Sequence, residues 1–146
     1  MKRISIYKVQ QVKERGGLYD VKTKIEEPSD VYDVLEKVLN LSKEAVENFG
    51  IVTLNSKNKI VGIHVLSVGS LDSALITPRR VFSAAILNNA AAIILFHNHP
   101  SGDLTPSPED YRITKRLREA GEIMNIEVLD HVIVADYNFK SLDGEV

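Results

Sequence analysis

The stretch AAIILFHNHPSGDLTPSPED, residues 91–110, decides the fold. Its first six residues are continuously apolar, which is typical of a short strand covered on both faces. Its last four residues combine a hydroxyl N-cap at Ser107, proline at the first helical position and a carboxylate at Asp110, so they predict a helix start. The stretch therefore predicts a strand, a tight loop and a helix.

The rest of the chain extends this pattern outward on both sides. Strands are predicted at residues 49–54, 60–68, 128–134 and 139–142 from their β-rich or alternating composition. Helices are predicted from a cap at Ser29 or Asp30 to Asn40, in a short turn through Ala45 and Val46, from Thr77-Pro78 to Ala90, and from Pro108 to Met124. This alternation predicts an α/β fold with a mixed β-sheet sandwiched by helices.

The N-terminal 28 residues are expected to form an extension of their own. Residues 4–9 and 18–25 alternate apolar and polar side chains around Gly16-Gly17, which predicts a β-hairpin ending at Pro28. We therefore predict two parts, an N-terminal hairpin over residues 1–28 and a main domain over residues 29–146. A protruding hairpin could also pair with a second copy, so a homodimer is one expectation.

Composition narrows the functional classes. The 146 residues carry 18 Lys and Arg against 20 Asp and Glu, a net charge of −2, so the overall bias of a nucleic-acid-binding protein is lacking. No signal peptide or membrane span is recognisable, which favours the cytoplasm. The sequence has no cysteine, so any zinc would be bound by His, Asp and Glu, a set more typical of catalytic than of structural sites.

The histidines of the opening stretch have two interpretations. His97 and His99 lie two residues apart at a strand end and therefore share one face, where two imidazoles make half of a zinc site. Hydrogen bonding to backbone is the simpler explanation for such a pair taken alone. Asp110 at a helix N-terminus is explained by capping, yet the same position favours its ionised form, as a metal ligand requires. A stiff loop containing Gly102 and two prolines would bring Asp110 back to the histidines.

Taken together, His97-x-His99-Pro100, six residues, Ser107, two residues and Asp110 resemble the motif of the JAMM (JAB/MPN-plus) metallohydrolases. The segments HNHPSG and LDHVIV are similar to the RadC-type branch, in a short form without its helix-hairpin-helix domain. The resemblance covers roughly residues 45–146 and implies the JAB/MPN (cytidine-deaminase-like) architecture.

The resemblance also implies roles for single residues. His97, His99 and Asp110 would bind one zinc ion per chain, and Ser107 would donate a hydrogen bond to the oxyanion of the substrate carbonyl. Glu47, in the pattern ENFGIVTL, would be the general base acting through a zinc-activated water; spacing alone does not choose it over Glu44. His131 would lie behind the ligands or be an ordinary buried polar residue, and the two interpretations weigh equally.

The function implied is a zinc-dependent metallohydrolase, or metalloprotease, that cleaves a peptide or isopeptide bond in a protein or peptide substrate. The alternative is a RadC-like module associated with DNA, in repair or in mobile elements, whose metal site is structural or acts on another substrate. The basic residues of the last long helix, Arg112, Lys115, Arg116 and Arg118, are best explained as a solvated face. Asp103, the other carboxylate of the loop, is expected to be a turn residue.

Overall fold

The central element is a five-stranded mixed β-sheet with helices on both faces. The computed structural model describes residues 1–69 and 75–144. The elements are α1 (Pro28–Leu39), a 3-10 turn (Leu41–Lys43), β1 (Asn48–Leu54), β2 (Ile60–Val68), α2 (Pro78–Leu87), β3 (Ala92–Asn98), α3 (Pro108–Met124), β4 (Glu127–Ala135) and β5 (Asn138–Ser141). The predicted α/β class is confirmed.

The sheet order is β2-β1-β3-β4-β5, with β3 at its centre. β3 runs antiparallel to β1 and parallel to β4, and α3 makes the connection that a parallel pair requires. Both central strands β1 and β3 are buried along their whole length. The C-terminal end of β3 therefore lies between the ends of β1 and β4, and the loop that follows leads to the N-terminal end of α3.

Two hydrophobic clusters hold the layers together, one on each face of the sheet. One contains Phe49, Ile93 and Leu95 with apolar residues of α2 and α3. The other contains Val52, Ile94 and Phe96 with apolar residues of α1. Odd-numbered β3 side chains therefore face α2 and α3, and this parity determines where His97 points.

Two helix starts agree with the capping predictions and one does not. Thr77 accepts a hydrogen bond from Arg80 N, and Ser107 caps α3. The first helix begins at Pro28, earlier than the predicted cap at Ser29 or Asp30, because the Asp30 carboxylate accepts hydrogen bonds from Glu26 N and Glu27 N. The turn predicted through Ala45 and Val46 lies at Leu41–Lys43 instead.

The N-terminal segment differs from its prediction. Residues 1–23 contain no strand or helix, and residues 1–20 are all exposed, so the predicted hairpin is not formed. Its backbone pairs with the fold near its end, where Lys24 bridges Lys59 and Ile60 N donates to Thr23 O. Farther from that end, Gln11 Oε1 accepts a hydrogen bond from Asn88 Nδ2. Alternation alone was misleading here because a strand needs a pairing partner as well as a period.

No helix within residues 1–69 and 75–144 is long and apolar enough to cross a membrane.

Candidate metal centre

The two histidines occupy the end of β3. His97 pairs with Phe49 of β1 in the strand register and is fully buried on the face covered by α2 and α3. His99 follows the last strand residue, and its N–H donates to Val134 O of β4 at 2.9 Å, which keeps the backbone extended past the strand. Because the chain stays extended, both imidazoles lie on one face.

The loop after the histidines turns back over them. Gly102 has a φ of 87°, a conformation that favours glycine, and its N–H donates to His99 O at 3.0 Å. Within this turn the carbonyl of Asp103 lies 2.7 Å from His99 Nδ1. The Asp103 carboxylate accepts from Thr105 N instead, so it behaves as a turn residue, as expected.

A capping box begins α3 and aims Asp110 at the histidines. Ser107 Oγ accepts from Asp110 N at 3.1 Å, and Asp110 Oδ2 accepts from Ser107 N at 2.8 Å. The two residues therefore fix each other's position at the helix N-terminus. Asp110 is buried, with 1% of its surface exposed.

The three predicted ligands converge. His97 Nε2 lies 2.8 Å from His99 Nε2, and Asp110 Oδ1 and Oδ2 lie 3.1 and 3.2 Å from the two ring nitrogens respectively. Within the described part of the chain, these three residues form a group able to hold a metal ion, with one ligand atom from each lying within 4.8 Å of the others.

The donor set fits a metal ion chemically. The carbonyl of Asp103 can only accept, so neutral His99 carries its proton on Nδ1 and presents a bare Nε2. Asp110 Oδ1 is buried and close to His97 Nε2 but makes no hydrogen bond with the described atoms. A cation at this point would satisfy the carboxylate oxygen and would separate the electron-rich ring nitrogens.

The electrostatics of the site keep Asp110 ionised. Burial acts to raise the pKa of Asp110, but its contacts with His97 and His99 and the hydrogen bond from Ser107 N outweigh burial and hold it far below the usual range. The contact with Asp110 in turn raises the pKa of His99. A carboxylate must be deprotonated to bind a metal ion, and Asp110 meets this requirement.

Glu47 belongs to the segment that leads into β1, whereas Asp110 belongs to α3. Glu47 immediately precedes β1, and the register that pairs Phe49 with His97, continued by two residues, sets Glu47 opposite His99. Its negative charge adds to the effect of Asp110 in raising the pKa of His99. Glu44 is exposed, and its backbone carbonyl accepts a hydrogen bond from Asn98 Nδ2. The geometry therefore favours Glu47 over Glu44 as the carboxylate facing the site.

Asn98 is a positioning residue that the sequence prediction missed. It points to the face opposite the histidines, where its Oδ1 accepts from Asn48 N at 2.7 Å and its Nδ2 donates to Val46 O at 3.0 Å. These bonds hold the backbone on both sides of Glu47. A buried asparagine between two histidines was the available signal, because a buried amide requires hydrogen-bond partners.

His131 of β4 lies directly behind the ligands. Its Nε2 is 2.7 Å from His97 Nδ1, and its Nδ1 is 2.6 Å from Thr114 Oγ1. Burial holds the pKa of His131 well below its usual range, so the ring is neutral. Of its two interpretations, the structure favours the residue behind the ligands. Thr114, one helical turn after Asp110, was also missed from the sequence.

Comparison with known proteins agrees with this geometry. The model of the RadC-like JAB domain matches residues 25–146. The chain belongs to the RadC-like JAB family. The matched range begins just before α1, so the family domain contains the whole sheet and every residue named above for the site, and it leaves out the exposed N-terminal segment.

Curated relatives of this RadC-like JAB domain carry the name UPF0758 protein. The one from Caldanaerobacter subterraneus subsp. tengcongensis is 56% identical over 110 residues, covering 75% of this chain and 46% of the relative. That from Moorella thermoacetica is 53% identical over 122 residues, covering 83% and 52%, and that from Staphylococcus carnosus 46% identical over 124 residues, covering 84% and 54%. The chain therefore spans about half the length of these relatives.

Proposed function

We propose that this RadC-like JAB domain is a zinc-dependent hydrolase of the JAMM type that cleaves a peptide or isopeptide bond. The observation that carries the proposal is the convergence of His97 Nε2, His99 Nε2 and the Asp110 carboxylate, with Glu47 set opposite His99. Two imidazoles and one carboxylate leave one position of a tetrahedral zinc site for water, which is the arrangement of catalytic rather than structural zinc.

The residues around the site supply the remaining chemistry. His97, His99 and Asp110 would hold the zinc ion, which would lower the pKa of a water ligand to about 7 and polarise a carbonyl. Glu47 accepts the proton of the attacking water and later delivers it to the leaving amine. The Ser107 hydroxyl accepts one hydrogen bond, from Asp110 N, so its own proton is available to the oxyanion that forms on the substrate carbonyl.

The substrate class follows from the reaction type. General-base attack on an acyl carbon with an amine as leaving group is amide hydrolysis. The site lies at the C-terminal end of β3, where His99 is partly exposed and a loop follows, and such loops commonly carry binding sites. A protein or peptide substrate is therefore part of the proposal.

Metal content and turnover test the proposal together. We expect about one zinc per chain in the purified protein by elemental analysis, lost in His99→Ala. We expect Glu47→Gln to keep the zinc but to slow cleavage by about 100-fold or more, measured by mass spectrometry on a mixture of peptides and lysine-linked isopeptides. Glu44→Gln is the matched control and should cleave at the wild-type rate. Absence of zinc from the wild type, or full turnover in Glu47→Gln, contradicts the mechanism.

A further inference from the structure

The metal ligands are joined behind the site by a chain of buried hydrogen bonds. His97 Nδ1 contacts His131 Nε2 at 2.7 Å, His131 Nδ1 contacts Thr114 Oγ1 at 2.6 Å, and Thr114 Oγ1 contacts the Asp110 carbonyl oxygen at 2.6 Å. All three side chains are fully buried. This series of hydrogen bonds starts at one proposed ligand and ends on the backbone of another, so it links the two behind the site.

Only one assignment of donors and acceptors satisfies these three hydrogen bonds. The Asp110 carbonyl has no hydrogen, so the single hydroxyl proton of Thr114 must be donated to it. Thr114 Oγ1 must then accept from His131, which places the His131 proton on Nδ1 and leaves Nε2 as an acceptor. His97 must therefore donate from Nδ1, and its Nε2 is left bare, facing His99 and Asp110.

We propose that Thr114 is a positioning residue of the metal centre, whose hydroxyl sets the tautomer of His131 and, through it, turns the unprotonated Nε2 of His97 toward the cation. The inference rests on the proposed function for the identity of the cation, but its hydrogen-bond logic belongs to the metal-free protein. Outer partners of this kind orient a histidine ligand and increase its basicity.

A helical threonine often donates to the carbonyl four residues earlier, with no further role. This common helical hydrogen bond accounts for the contact between Thr114 Oγ1 and the Asp110 carbonyl. It does not account for the second contact of Thr114 Oγ1, with His131 Nδ1. Without the hydroxyl, His131 has no acceptor for an Nδ1 proton and gains by carrying it on Nε2. His97 must then accept at Nδ1, and its own proton moves to Nε2, into the position of the metal.

The substitutions Thr114→Val and Thr114→Ser separate shape from hydrogen bonding. Valine keeps the branched shape and removes the hydroxyl, so we expect zinc affinity to fall by about 10–100-fold, as for the loss of other outer partners. Serine keeps the hydroxyl, so it should bind zinc as the wild type does. Thr53→Val is the matched control, because Thr53 is a fully buried threonine that bonds to Asn88, away from the ligands.

The tautomers are read directly by long-range ¹H–¹⁵N NMR of the histidine rings in metal-free protein, at a pH well above the usual imidazole pKa. We expect Nδ1 protonation of His97 and His131 in the wild type and in Thr114→Ser, and a shift of the His97 proton to Nε2 in Thr114→Val. Zinc affinity is measured by competition with a chromophoric chelator. Unchanged tautomers and unchanged affinity in Thr114→Val overturn the proposal.

Two further outcomes keep this inference distinct from the proposed function. If the wild type binds zinc but cleaves no peptide, the hydrolase proposal fails while the affinity series still tests Thr114. If Thr114→Val does not fold, the wild-type spectrum alone decides, since protonation of His97 at Nε2 contradicts the donor and acceptor assignment on which the proposal depends.

Discussion

At the residue scale, the two oxygens of the Asp110 carboxylate have different surroundings, which suit a helix cap and the proposed metal ligand respectively. Oδ2 accepts the backbone N–H of Ser107 and so helps to begin α3, whereas Oδ1 points to His97 and has no hydrogen-bond partner among the described atoms. The capping role explains why the residue can be read from sequence as part of a helix start. The unpartnered oxygen is what distinguishes a ligand from a cap.

The substitution Asp110→Asn separates the two roles. The amide oxygen can still accept from Ser107 N, so we expect the far-UV circular dichroism of the metal-free protein to stay unchanged. Loss of the negative charge should reduce zinc affinity strongly. Removal of a residue that only hydrogen-bonds to a ligand costs about 10–100-fold, and we expect the loss in Asp110→Asn to be larger. Chelator competition measures the affinity, and Asp103→Asn in the same loop is the control. Wild-type zinc affinity in Asp110→Asn would leave Asp110 with a capping role only.

The contacts of Thr114 and His131 could not be predicted from short sequence motifs. The HxH pair and the Ser-x-x-Asp spacing are local, and they predicted the three residues that the structure brings together. The hydrogen bond between His97 and His131 joins residues that are 34 positions apart, and it exists only because β4 lies parallel to β3. Such contacts depend on the register of the sheet, which no short spacing encodes.

At the element scale, the N-terminus of α3 determines how the site is assembled. Proline at the first helical position and the reciprocal bonds of Ser107 and Asp110 make the helix begin at one defined residue. A helix that began one residue earlier or later would rotate Asp110 away from the histidines, because each residue turns the helix by a large angle.

Substitution of Ser107 tests whether its hydroxyl does more than cap. Ser107→Ala should cost about 1 kcal/mol of stability, whereas Ser107→Gly should cost only a few tenths, since glycine is a tolerated N-cap. Both variants lack the hydroxyl, so we expect both to lose about 100- to 1000-fold in turnover. Thermal unfolding and the peptide assay measure the two effects. A Ser107→Gly variant with full turnover would leave Ser107 as a cap without a catalytic role.

Strong local signals explain which elements were predictable. The Thr77-Pro78 and Ser107-Pro108 starts and the apolar strand around residues 92–96 were predicted within a residue or two. The start of α1 was misplaced because Asp30 bonds backward to Glu26 and Glu27, as the third residue of the helix rather than as its cap. Asx residues near a helix start suit both positions, and only the backbone geometry chooses between them.

At the scale of the whole molecule, the family domain and the exposed N-terminal segment are different kinds of structure. The segment exposes several large apolar side chains, namely Ile4, Ile6, Tyr7, Val9, Val12 and Leu18. The core begins at Ile25, which is buried and whose N–H donates to Asn58 O. The hydrophobic pattern of the segment resembled a hairpin, but burial within this chain starts only where the family domain starts.

Truncation tests this division. Removal of residues 1–22 takes away contacts made by exposed side chains, such as those of Gln11 with Asn88 and of Lys22 with the Asp30 carboxylate. It removes no buried apolar side chain, so we expect zinc content to stay the same and the melting temperature to fall by no more than about 4 °C. Removal of residues 1–26 also takes Ile25 and should lower the melting temperature further. Differential scanning calorimetry compares the two; a large loss in the shorter truncation would show that the segment supports the fold.

The short distance along the chain between the ligands affects the unfolded protein as well. His97, His99 and Asp110 come from one strand end, one loop and one helix start, close enough in sequence for a denatured or nascent chain to hold a zinc ion weakly. Binding to the unfolded chain subtracts from the stabilisation that a ligand gives to the folded one. Added zinc should therefore raise the free energy of unfolding by less than its affinity for the native site implies, and metal capture can precede completion of the sheet.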